Sequence, residues 1–110
     1  MQCEVRKEAA FDVVTLKGEV DLSTSPAVRQ TILASLEAGT PVAIELQDVT
    51  YIDSSGVASL VEGYQTAKSR GLPFTLVGAS ESLMGVLELA RLDKVFPLAE
   101  TLGELTADGG

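Results

Sequence analysis

A carboxylate, two hydroxyls and a glycine stand in succession at Asp53-Ser54-Ser55-Gly56, where an apolar, strand-like run gives way to a helical one. The first N–H groups of a helix have no internal partners, and the macrodipole leaves partial positive charge there. Serine and aspartate at such a place can cap the helix, or they can offer a hydroxyl on which a phosphoryl group is tolerated. One serine is enough for a cap. Three polar residues in a row, followed by a glycine that lets another backbone come close, exceed that need, so on chemistry alone cap and switch stand about even.

Other chemistries fit these serines poorly. A nucleophile elbow needs glycine two residues before the serine and two after it, yet Ile52 precedes Ser54 and Asp53 precedes Ser55 at that spacing. The chain has no histidine, so an imidazole base and the usual His-containing zinc sites are excluded, and no lysine follows either serine by three residues. Neither of the glycine-rich nucleotide-binding fingerprints occurs. Asp21, Asp48 and Asp53 are the acids a carboxylate metal site would use; they lack ligand spacing and read as solvated loop acids. Cys3 reads as a small apolar residue near the first strand. The expectation is a binding module without catalytic residues, metal or cofactor.

A length of 110 residues with 45% hydrophobic content allows one domain, 1–110, with a real core. Sixteen acidic against eight basic residues give a net charge of −8, and the basic ones are scattered. Nucleic acid and anionic membrane surfaces are therefore poor partners. The start does not resemble a signal peptide, and no run approaches the roughly 18 apolar residues of a membrane span, so a cytoplasmic address is expected.

The elements that must position the cluster follow from periodicity and punctuation. Val5 to Glu8 and Asp12 to Glu19 read as two strands of an opening hairpin. Ser25 then caps a helix with Pro26 in its first turn and Val28, Ile32, Leu33 and Leu36 on one face, ending at Gly39. Val42 to Leu46 reads as a buried strand leading into the cluster. From Ser55 to Arg70 the apolar residues Val57, Leu60, Val61, Tyr64 and Ala67 recur at helical spacing, and Gly71 ends the run. Pro73 to Val77 is a further strand, and Ser80 caps a third helix carrying Leu83, Val86, Leu87 and Ala90. Val95-Phe96 is a candidate last strand, and Thr101 to Glu104 matches the capping box of a short C-terminal helix. The order predicts an α/β fold: a mixed, mostly parallel sheet with an N-terminal antiparallel hairpin and helices mainly on one face. Opposite the apolar stripe of the second helix lie Ala58, Ser59, Glu62, Gly63 and Thr66. An ordinary solvated face is one reading of these small residues. The other joins Ser54 to Ser59, Glu62 and Gly63 as a strip on which a partner helix could dock.

At these residues the chain resembles the STAS family, the sulfate-transporter and anti-sigma-factor-antagonist domain. The resemblance rests on Gly18-Glu19-Val20-Asp21, on Val49-Thr50-Tyr51-Ile52-Asp53-Ser54-Ser55-Gly56 and on Arg91-Leu92-Asp93-Lys94-Val95-Phe96, and it spans roughly Val5 to Leu105. It implies that Ser54 is the residue phosphorylated by a partner that is both anti-sigma factor and serine kinase. Asp53, Ser55 and Gly56 would support that site, and Asp21 would lie near the same surface. The implied function is that of an anti-sigma factor antagonist, which binds when Ser54 is free and releases when it is phosphorylated. Many such antagonists read Gly-Leu-Gly where this chain has Gly56-Val57-Ala58. Ala58 is also similar to STAS subunits of lipid-transporting ABC complexes, which would dock on an ATPase instead.

Overall fold

The computed structural model describes residues 2–103, and they form strands β1 (Gln2–Glu8), β2 (Phe11–Val20), β3 (Val42–Ile52), β4 (Phe74–Val77) and β5 (Leu98–Ala99) with helices α1 (Ser25–Glu37), α2 (Ser54–Ser69) and α3 (Glu81–Leu89). The strands lie side by side in chain order, β1 antiparallel to β2 and every later neighbour parallel. Crossovers between parallel neighbours are right-handed, and these all step the same way across the sheet, so each delivers its helix to the same face. That face holds the main core: Val14, Leu16, Val42, Ile44, Leu46, Phe74 and Leu76 from the sheet meet Val28, Ile32, Leu36, Leu60, Leu83 and Leu87 from the helices. On the reverse face Phe11, Val13, Ala43 and Val77 form a smaller cluster against Ala99 and Leu102. Among the described residues no helix is long and apolar enough to cross a membrane, and no acidic or cysteine cluster is placed to hold a metal.

Several boundaries differ from expectation. Phe11 opens β2 because the hairpin turns on Ala9-Ala10 alone, with Ala9 at φ 52°. Strand β3 continues past Leu46 to Ile52, its second half pairing with β2 only, through two register shifts that break the alternation. The N-cap of α1 is Thr24, which makes no side-chain cap, and Ser25, the expected cap, is buried as the first residue of the helix. Val95-Phe96 is not a strand; Phe96 packs edge-on against Tyr64 at 5.7 Å between ring centroids, and the strand falls at Leu98-Ala99. Of the short C-terminal helix expected from the Thr101 to Glu104 capping box, Gly103 is helical, and the positions from 104 onward lie outside the described residues.

One buried polar group on the reverse face tunes stability with pH. The Glu45 carboxylate, 8% exposed, accepts from Arg6 Nη1 at 2.9 Å and Thr15 Oγ1 at 2.7 Å. The Arg6 hydrogen bond holds its pKa below the ordinary glutamate value although burial pushes the other way. A carboxyl lowered on folding stabilises the fold above its unfolded pKa, and that stability is lost as pH falls through the folded pKa. Arg6→Met is therefore expected to cost about 1–2 kcal/mol at pH 7, the half-exposed arginine limiting the figure. Urea midpoints of mutant and parent should converge once pH falls below both values; a gap that stays constant from pH 7 down to acid would exclude the pair as its source.

Candidate functional site

Asp53 is the N-cap of α2: its Oδ1 accepts from the N–H of Ser55 at 2.9 Å and of Gly56 at 3.1 Å. Its own N–H donates to the Val20 carbonyl at 3.1 Å, tying the start of α2 to the end of β2. Capping is thus done by the aspartate, and neither serine is needed for it. Ser54 is the first helical residue, exposed, with a hydroxyl that bonds to none of the described residues. Ser55 is half-buried behind it. Gly56 has a packing reason: a Cβ there would lie 2.6 Å from Ile52 Cγ1, 2.8 Å from Val20 Cγ1 and 3.0 Å from the Val20 carbonyl. The helix sits this close to the strand ends only because position 56 has no side chain.

Val20 and Ile52 are paired in register, so Asp21 and Asp53 follow neighbouring strand ends. Their carboxylates serve separate loops. Asp21 Oδ1 accepts from the Ser23 hydroxyl at 2.8 Å, the Ser23 N–H at 3.0 Å and the Thr24 N–H at 3.2 Å, which folds the turn into α1. The Ser23 hydroxyl above all holds the Asp21 carboxyl below its ordinary value. Leu22, beside it, is 75% exposed.

The proposed strip along α2 does not survive as one surface. Ser59 is 5% exposed, its hydroxyl donating to the carbonyls of Ser25 at 3.3 Å and Ser55 at 3.1 Å. Gly63 is buried, and a Cβ on it would come within 2.7 Å of Ile32 Cγ2. These small residues face α1, letting the two helices pack closely, so neither is available to a partner. Glu62 lies at the edge of that contact, where Arg29 Nη2 donates to its Oε1 at 2.8 Å; this hydrogen bond lowers the Glu62 pKa. Ala58 is exposed as expected.

Ser54 and Ala58 open onto a different surface, a groove of about 830 Å³ between α2 and α3. Its walls are apolar (Ile52, Val57, Val61, Val86, Leu89), with Asp53, Ser54, Glu62 and Gln65 on the rim. Leu89 is 89% exposed. Periodicity assigned Val57, Val61 and Val86 to the core; Val57 is buried there with Leu60, Leu83 and Leu87, whereas Val61 and Val86 are only partly buried against it, and all three valines line the groove. Leu89 carried a legible signal, because it falls off the Leu83-Val86-Leu87-Ala90 stripe of α3.

The STAS family described as "Mlab, STAS domain" matches residues 3–102. The anti-sigma-B factor antagonist of Bacillus subtilis is 28% identical over 86 residues, 78% of this chain and 79% of that protein. An anti-sigma factor antagonist from Mycobacterium paratuberculosis superposes with a TM-score of 0.84 at 30% identity, over 99% of this chain and 94% of that one. The phosphorylated form of the Bacillus cell fate determinant SpoIIAA shares the fold, with a TM-score of 0.79 at 17% identity over 99% of this chain and 100% of that one. With the family matched over nearly its whole length and its sheet and helices in the same arrangement, the chain belongs to the STAS domain family.

Proposed function

We propose that this domain is an anti-sigma factor antagonist: it binds an anti-sigma factor that is also a serine kinase while Ser54 is free, and releases it once Ser54 is phosphorylated. The observation that carries the reading is the exposed, unbonded Ser54 hydroxyl at the mouth of an apolar groove. The names of its relatives support the partner class. A partner side chain seated against Val57, Val61 and Leu89 would bury apolar area beside Ser54, in a contact that works by fit and needs no catalytic group. Phosphorylation adds about −1.5 to −2 charges at that mouth, which would make the same contact unfavourable. A cytoplasmic address follows from such a partner. The family description and Ala58 favour a second reading, in which the groove docks on the ATPase of a lipid-transporting ABC complex and Ser54 stays unmodified.

Incubation with a candidate anti-sigma kinase and ATP, followed by intact-mass analysis, separates the two. A single phosphoryl gain that vanishes in Ser54→Ala and persists in Ser55→Ala is expected. Gain that survives Ser54→Ala would move the switch to another residue, and no gain with any cognate kinase would leave the ATPase-docking reading.

A further inference from the structure

Strand β1 is an edge of the sheet, and its seven residues Gln2-Cys3-Glu4-Val5-Arg6-Lys7-Glu8 pair with β2 on one side only. Among the described residues no strand lies against its outer side, and Val5 at its centre is 48% exposed. An open edge is a template for another strand unless its charges forbid pairing. Here charge and the length of strand paired together select one partner register.

Consider a second copy related by a two-fold axis perpendicular to the sheet. Opposed residues must share a face, and faces alternate along a strand, so the axis must pass through a residue. Centred on Val5, Glu4 meets Arg6 twice, Cys3 meets Lys7, Gln2 meets Glu8, and Val5 meets itself. Centred on Glu4, Arg6 or Lys7, a like pair sits on the axis, and the Arg6 centre also sets Glu4 against Glu8. Val5 is the centre that aligns the whole strand and opposes no like charges. Arg6 can take part: its Nη1 is held by Thr15 and Glu45 and its Nη2 lies 3.7 Å from Glu8 Oε2, but that contact is beyond hydrogen-bond length, the side chain is 47% exposed and a guanidinium has five donors.

We propose that β1 pairs with β1 of a second copy of this chain, antiparallel and centred on Val5, to give a continuous ten-stranded sheet. The axis keeps both helical layers on one side and reverses strand direction, so the two Ser54 sites point to opposite ends. With β2 between β1 and β3, the α2–α3 groove stays open in the dimer. The inference does not depend on how Ser54 is read.

One strand pair is a small interface, so a dissociation constant on the order of 10–100 μM is expected. Sedimentation equilibrium in about 150 mM salt, which screens the net charge, should show the mass doubling over that range. Glu4→Arg sets arginine against Arg6 twice, and Val5→Lys puts lysine on lysine; each should weaken association about tenfold or more. Glu81→Arg, the same charge change on exposed α3, and Ser54→Asp should dimerise as the parent does. Far-UV circular dichroism checks that every variant is folded. A parent that is monomeric at about 1 mM, or equal weakening by Glu4→Arg and Glu81→Arg, would overturn the proposal.

Discussion

Arginine in place of Gly63 is expected to leave the protein unfolded or molten at 25 °C, with no native near-ultraviolet signal. A Cβ at that position would stand 2.7 Å from Ile32 Cγ2 and 3.1 Å from the edge of the Phe74 ring. Both neighbours are themselves buried, Ile32 completely. A β-branched side chain locked in a helix cannot swing away. Even alanine must push α1 and α2 apart, an overpacking cost of about 1–3 kcal/mol that outweighs the roughly 1 kcal/mol by which alanine favours a helix over glycine. Arginine adds the burial of an unpaired charge between two helices, and the sum exceeds the 5 kcal/mol or so at the lower end of domain stability. Gly85 in α3 is the control: a Cβ there would have nothing within 4 Å, so Gly85→Ala should stabilise by about 0.5–1 kcal/mol. Urea unfolding of Gly63→Ala and Gly85→Ala is the comparison to make. If Gly63→Ala proved as stable as Gly85→Ala, the close approach of α1 to α2 would not be what position 63 is for.

Small residues on a helix are ambiguous in a sequence, and Ser59 and Gly63 illustrate why. A solvated face, a partner's seat and a close helix–helix seam all use them. Only the position of α1, set by a crossover whose path depends on the whole sheet, decides between them. The order of strands and helices was legible because it follows from local periodicity and from Pro26, Gly39 and Gly71 as punctuation. The second half of β3, from Gln47 to Ile52, was not, because the register shifts in its pairing with β2 erase the alternation by which strands are recognised. Asp53 illustrates a finer limit. Residue types placed a cap somewhere in Asp53-Ser54-Ser55, but which side chain takes the N–H groups depends on backbone dihedrals, and the extended conformation at Asp53 (φ −103°, ψ −174°) assigns that task to it. Once the aspartate caps, Ser54 is released from structural duty. The groove was hidden for a related reason: Val61 and Val86 are apolar at core spacing, and their half-buried position follows from how far α3 stands from α2.

The division of labour between Asp53 and Ser54 predicts how far a phosphoryl group on Ser54 shifts partner binding. The N–H groups of Ser55 and Gly56 are the donors that would otherwise receive the phosphoryl oxygens, and Asp53 Oδ1 already holds both. A phosphoryl group on Ser54 would therefore be repelled by the adjacent carboxylate and kept away from the helix end, at the mouth of the groove. In the parent protein, phosphorylation should weaken partner binding by at least about 100-fold, roughly 2.7 kcal/mol, while barely stabilising the fold. Asp53→Ala should itself cost about 1–2 kcal/mol of stability through loss of the cap. In that background the two N–H groups are free, and a phosphoryl on Ser54 can fold back and cap its own helix. Phosphorylation should then raise the melting temperature, and the affinity loss should shrink toward about tenfold because less charge remains at the groove. The four proteins, parent and Asp53→Ala with and without the phosphoryl, form a cycle measured by calorimetric titration with the partner and by thermal melts. An equal affinity loss in both backgrounds would mean that Asp53 only caps the helix and does not direct the switch.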